Sequence, residues 1–167
     1  MKLREMILVS FLAAMALVFN MLESALPMPL PGIKLGTANV FALAAIILIG
    51  AKAGFAVTLL RVVTAWLISA NFFTFICSFT GGISAVLVMV LLYNNFKSSF
   101  SISGISVAGA WAFNIAQLAV ASYIIGDIRV LWYIFPLLAA GTISGWAVGY
   151  LAELLCGRIK FLWEGRR

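Results

Sequence analysis

The stretch ESALPMPLPGIKLGTANV, residues 23–40, interrupts an otherwise apolar chain with three prolines, two glycines, Glu23 and Lys34. Pro27, Pro29 and Pro31 fix φ, lack amide donors and push each preceding residue toward extended geometry. The segment therefore cannot continue a helix and reads as a short, stiff polyproline-like strut. Gly32 and Gly36 then permit turns or close backbone approach, and Lys34 sets a cation beside the exposed amides that open the next apolar run. On one side of the insert stands MKLREMILVSFLAAMALVFN, on the other VFALAAIILIG. What these flanking runs are decides the fold.

Of the 167 residues, 65% are hydrophobic and 10% charged, against about half and a quarter in soluble domains. The chain is an integral membrane protein. Its apolar runs are mostly helix-length, about 17 to 25 residues, not the alternating segments of about ten residues that build outer-membrane barrels. Backbone polar groups must then be satisfied within helices, so the fold class is all-α, a polytopic transmembrane bundle. The N-terminal run has the basic start and apolar core of a signal peptide. ESALP, however, is a poor cleavage site and many spans follow, so the run reads as the first span.

Apolar runs between breakers mark six spans, at about 6–24, 35–50, 53–70, 72–93, 104–125 and 130–156, in one transmembrane domain over residues 1–167. The second is short enough to be tilted or partly re-entrant. Lys2, Arg4, Lys52, Lys97, Arg158, Lys160, Arg166 and Arg167 fall on one side, and only Lys34 and Arg129 on the other. By the positive-inside rule both termini are cytoplasmic, in a multi-pass protein of the inner (plasma) membrane, and the proline insert faces out. The net charge of +6 is explained by topology and anionic headgroups, not by nucleic acid.

This orientation gives each polar residue a depth. Asn20 and Glu23 share a face of span 1 with Ala13 and Ala16; Thr37 and Asn39 open span 2; Asn71 and Thr74 flank the junction of spans 3 and 4. Asn114 and Gln117 share a face of span 5 with Ala110 and Ala121. The amides converge on the outer half, either as an outward substrate pocket or as interhelical hydrogen bonds. Arg61 lies about 12 Å into span 3 at 1.5 Å per residue, too deep for easy snorkelling. It pairs with a substrate carboxylate or phosphate, or forms a structural ion pair, with Glu23 the nearest candidate, or caps loop carbonyls.

Small-residue ridges mark close helix approach: Gly141, Gly145 and Gly149 on span 6, Ala108, Ala112 and Ala116 on span 5, Ser10 and Ala14 on span 1. Each serves packing within the chain or docking of another membrane protein. The insert itself is a lid over the pocket or a tight connector. Cys77 and Cys156 belong near opposite membrane faces and read as packing residues.

LPGIKLGTANV, GAKAGFAVTLLRVVTAWL, FTGGISAVLVM and SVAGAWAFNIAQLAVA together resemble the Gx transporter family, also labelled heptaprenyl diphosphate synthase component I, over nearly the whole chain. PGIKLG is the most specific piece. That family is in turn similar to the S components of energy-coupling factor (ECF) transporters, which are six-helix proteins with cytoplasmic termini. The resemblance implies that Pro29, Pro31, Gly32 and Gly36 form a lid, with Lys34 and Asn39 among lid and pocket residues. It implies too that Ser10 and Ala14 dock a transmembrane coupling subunit that works with ATPases. The chain departs from the family pattern at Phe113 and Ala116, where His and Gly are usual.

Autonomous prenyl transfer needs clustered carboxylates for Mg²⁺-diphosphate, and the chain has one aspartate, Asp127, and four scattered glutamates. There is no Walker-type loop and no histidine, so ATP hydrolysis and haem or iron–sulfur ligation lie outside its chemistry. The expectation is a non-enzymatic membrane subunit, with no cofactor and no metal. Its expected role is binding a small vitamin- or isoprenoid-like, anionic substrate for uptake through Asn20, Glu23, Lys34, Asn39, Arg61, Asn71, Asn114 and Gln117. The alternatives are a non-catalytic subunit of a flavin- or quinone-linked redox complex and an accessory of polyprenyl diphosphate synthesis.

Overall fold

A computed structural model describes residues 2–24, 34 and 36–164, with side chains described as far as Ile159. Pro27, Pro29, Pro31 and Gly32, and with them most of the expected lid, lie outside the described residues.

The chain folds into helices α1 (Leu3–Ser24), α2 (Asn39–Leu48), α3 (Ala51–Ser69), α4 (Phe72–Phe96), α5 (Ile102–Ile125) and α6 (Ile134–Glu164). A 3-10 turn, Ile128–Tyr133, leads into α6, and there is no strand among the described residues. Five of the helices are long and apolar enough to cross a membrane; α2 is not. Its ten residues reach about 15 Å, half of a hydrocarbon core about 30 Å thick. The expected second span over 35–50 is thus shorter than its apolar run. Gly36 and Gly50 bracket it with φ of 82° and 128°, conformations that end a helix and that glycine adopts without strain.

From Asn39 to Ile46 every residue of α2 is buried, and the helix touches all the others. A helix apolar on every side belongs in a core, and α2 is the axle around which the long helices stand. The long helices turn the usual pattern inside out. Large apolar side chains such as Ile7, Phe11, Leu22, Leu67, Trp132 and Ile143 are exposed, while Asn20, Glu23, Arg61, Asn114 and Gln117 are buried. An apolar outer surface around a polar interior is what lipid as solvent selects. The chain is a multi-pass membrane protein.

Local signals set the helix ends. Asn71 accepts from the Thr74 amide at 3.0 Å to start α4, and Ser101 caps α5 through the Gly104 amide at 3.1 Å, each side chain satisfying a donor the helix leaves open. Gly126, at φ 75°, closes α5 in the left-handed region. The ridge on α6 packs against α5: a Cβ on Gly145 would lie 2.8 Å from the Val107 Cα, one on Gly149 would meet the Ser103 Cα, and one on Gly141 would lie 2.6 Å from the Asn114 Nδ2. Its use is packing within the chain. Ser10 and Ala14 are exposed on α1.

Candidate functional site

The site lies at the end of the bundle where α1 finishes and α2 begins, and it is built around residues 34–37. Glu23, buried on the last turn of α1, uses both carboxylate oxygens: Oε1 accepts the Gly36 amide at 2.7 Å and Oε2 accepts the Thr37 hydroxyl at 3.1 Å. One turn earlier, the Asn20 Oδ1 accepts from the Lys34 ammonium. From α5, Gln117 grips the backbone of residue 34 at two points, its Nε2 donating to the carbonyl at 2.7 Å and its Oε1 accepting the amide at 3.2 Å. The Gln117 Nε2 also donates to the Asn114 Oδ1 at 3.0 Å, and the Asn114 Nδ2 donates to the Leu137 carbonyl of α6 at 2.9 Å. One polar chain thus ties α6 and α5 to the segment before α2.

A second set of polar atoms is buried and has no partner among the described residues: the Arg61 Nη2, Thr58 Oγ1, Ser78 Oγ, Asn20 Nδ2, and both side-chain polar atoms of Asn39. Arg61 is only 3% exposed. Its guanidinium makes no hydrogen bond or ion pair among the described residues, where the one ion pair is the exposed Arg129–Asp127 contact at 3.7 Å. Of the readings open for Arg61, a direct ion pair with Glu23 is absent among the described residues; both Glu23 oxygens bond residues 36 and 37. Space for the guanidinium comes from Gly82 on α4: a Cβ there would stand 3.1 Å from the Arg61 Nη2 and 2.8 Å from the Thr58 Cγ2.

A cavity of about 480 Å³ opens between α1, residue 34, α3 and α4, with Asn20, Lys34, Trp66, Phe75 and Ser78 on its walls. Trp66 and Phe75 form an aromatic side, their ring centres 5.2 Å apart. Ser78 stands on the wall one helical turn from Gly82, the residue beside the Arg61 Nη2, while Arg61 itself is not on the wall. Burial, with the Arg61 charge adding and Glu23 opposing, pulls the Lys34 ammonium down from 10.5 to about 8.

Of the residues expected to bind substrate, Asn20, Lys34 and Asn71 line the cavity. Asn71 is exposed there and also caps α4. Asn39 and Arg61 are buried with unpartnered atoms, whereas Glu23, Asn114 and Gln117 hold the backbone and one another. Gly36 presses on Asn39, a Cβ there coming 2.9 Å from its Nδ2. Sequence reasoning missed Thr58, Ser78, Gly82, Trp66 and Phe75. The available signals were spacing: Thr58 is three residues before Arg61, and Ser78 and Gly82 are four apart, each pair on one face. Phe113 is fully buried, and a Cβ on Gly81 would lie 3.0 Å from its ring.

Among known proteins, the family described as heptaprenyl diphosphate synthase component I matches residues 12–155. No curated protein and no solved structure matches the chain.

Proposed function

The chain belongs to the heptaprenyl diphosphate synthase component I family, and from that premise we propose that it is the substrate-binding membrane subunit of a small-molecule uptake transporter of the ECF type. The observation that carries this reading is the cavity itself, walled by Lys34, Asn20, Ser78 and aromatic rings, with the buried Arg61 close behind Ser78 and Gly82 of α4. Buried polar groups normally find partners, and a cluster left open around a cavity is what a ligand site offers. In this reading both termini are cytoplasmic and the cavity faces out. The segment before α2, held by Glu23 and Gln117, is the inner hinge of a lid, and substrate binding involves no covalent step.

The exposed Ser10 and Ala14 side of α1 then docks a transmembrane coupling subunit that works with ATPases. Co-expression with such a module and affinity purification tests this. The subunits are expected to co-purify with the wild type and to be lost from a Ser10→Leu, Ala14→Leu double variant. No association of the wild type would overturn the transporter reading. The family description favours a second reading, an accessory to polyprenyl diphosphate synthesis; unchanged prenyl chain products after deletion of the gene would remove it.

A further inference from the structure

The charges around the cavity do not cancel. Arg61 and Lys34 contribute two positive charges, and Glu23 contributes one negative charge whose oxygens are already occupied. Asn20 and Ser78 on the walls add dipoles but no charge. The surplus is one positive charge, shared by Lys34 and a guanidinium that is removed from water and has no hydrogen-bond partner among the described residues. An anion beside it satisfies such a group most fully. Of the six buried atoms without a partner among the described residues, the Arg61 Nη2 and the Asn20 and Asn39 Nδ2 groups donate, the Asn39 Oδ1 accepts, and two hydroxyls turn either way.

We infer that the cavity takes a singly charged organic acid, a carboxylate or a phosphate monoanion, held by Arg61 and Lys34 with its flat apolar body against Trp66 and Phe75. The guanidinium offers a planar fork that matches a carboxylate or phosphate edge. The aromatic pair lies on the same cavity wall system as Lys34. The volume of about 480 Å³ falls within the usual range of about 300 to 1,000 Å³ for small-molecule sites. A prenyl diphosphate does not fit this balance. It carries at least two charges and normally comes with Mg²⁺, and among the described residues no three His, Cys, Asp or Glu side chains gather to hold a metal. The inference rests on reading the cavity as a ligand site and adds the chemical class of the ligand. The acid could belong to a free solute or to an anionic lipid headgroup, since both present the same group.

Thermal unfolding of the purified protein is the test, with sodium 1-naphthoate, its neutral counterpart 1-naphthalenemethanol, and geranyl diphosphate as probes. A ligand of the folded state raises the unfolding temperature by mass action. Naphthoate is expected to stabilise saturably, with an affinity about tenfold or more above that of the alcohol, and geranyl diphosphate to have no effect. Arg61→Gln should abolish the naphthoate response. Should that variant not fold, Ser78→Asp, which brings a carboxylate of the protein's own toward Arg61, should abolish it instead. Short-chain phosphatidylglycerol that competes with naphthoate would identify a headgroup as the source of the acid; no competition would identify a free acid. Equal responses to acid and alcohol, a stronger response to the diphosphate, a response that survives in Ser78→Asp, or no response at all would overturn the inference. A missing naphthoate response with the coupling subunit still bound removes the acid class alone. A naphthoate response without a coupling subunit removes the transporter reading alone.

Discussion

Arg61 carries the affinity for an acid, because a buried guanidinium without a partner among the described residues costs stability that an anion restores. Ser78→Asp should therefore raise the unfolding temperature of the ligand-free protein, where an arbitrary buried carboxylate would lower it; a scan of wild type and variant side by side decides. Lys34 adds a pH dependence. Its ammonium titrates at about 8 in the folded protein against 10.5 ordinarily, chiefly through burial. Between those values the unfolded chain holds the proton that the folded one has released, so stability rises with pH over that window. Affinity for an anion falls over the same window as the ammonium discharges, and Lys34→Met should flatten the binding profile in a naphthoate titration from pH 7 to 10. The depth of Arg61 was legible from its distance into an apolar run. Thr58 and Ser78 were not, because hydroxyl residues in membrane helices commonly bond back to the preceding turn, as Thr64, Thr80 and Thr142 do here with Leu60, Ile76 and Leu138. Only the packed structure shows which hydroxyls are left over.

Among the elements, α2 and the α5–α6 pair carry the architecture. The apolar run after Lys34 and the Gly50 break made a second helix legible. Its start at Asn39 was not, since the turn at Gly36 depends on the Glu23 carboxylate, which arrives from another helix. The small-residue ridge on α6 was legible as a ridge but not as facing α5. Its role separates cleanly by substitution. Gly149→Ala drives a methyl group into the Ser103 backbone and should cost about 1 to 3 kcal/mol. Gly157→Ala, with nothing within 4 Å of its Cβ, should be neutral or slightly stabilising because alanine favours the helix. Unfolding of both variants in the same detergent checks the contrast.

For the whole molecule, the composition and the inverted burial pattern agree on a membrane bundle, and the proposed orientation rests on the lopsided distribution of lysine and arginine. Single cysteines placed at Asn71 and Tyr123, both exposed near the cavity end, should react with a membrane-impermeant maleimide on intact cells. A cysteine at exposed Ser99 should react only after permeabilisation. The reverse pattern would invert the topology and close the cavity to the outside. The most direct measurement of the central claim is native mass spectrometry of the protein purified gently from its own membranes. One small acid per chain is expected in the wild type and none in Arg61→Gln. A wild type that carries no small molecule, or an Arg61→Gln variant that carries the same molecule at the same occupancy, would contradict it.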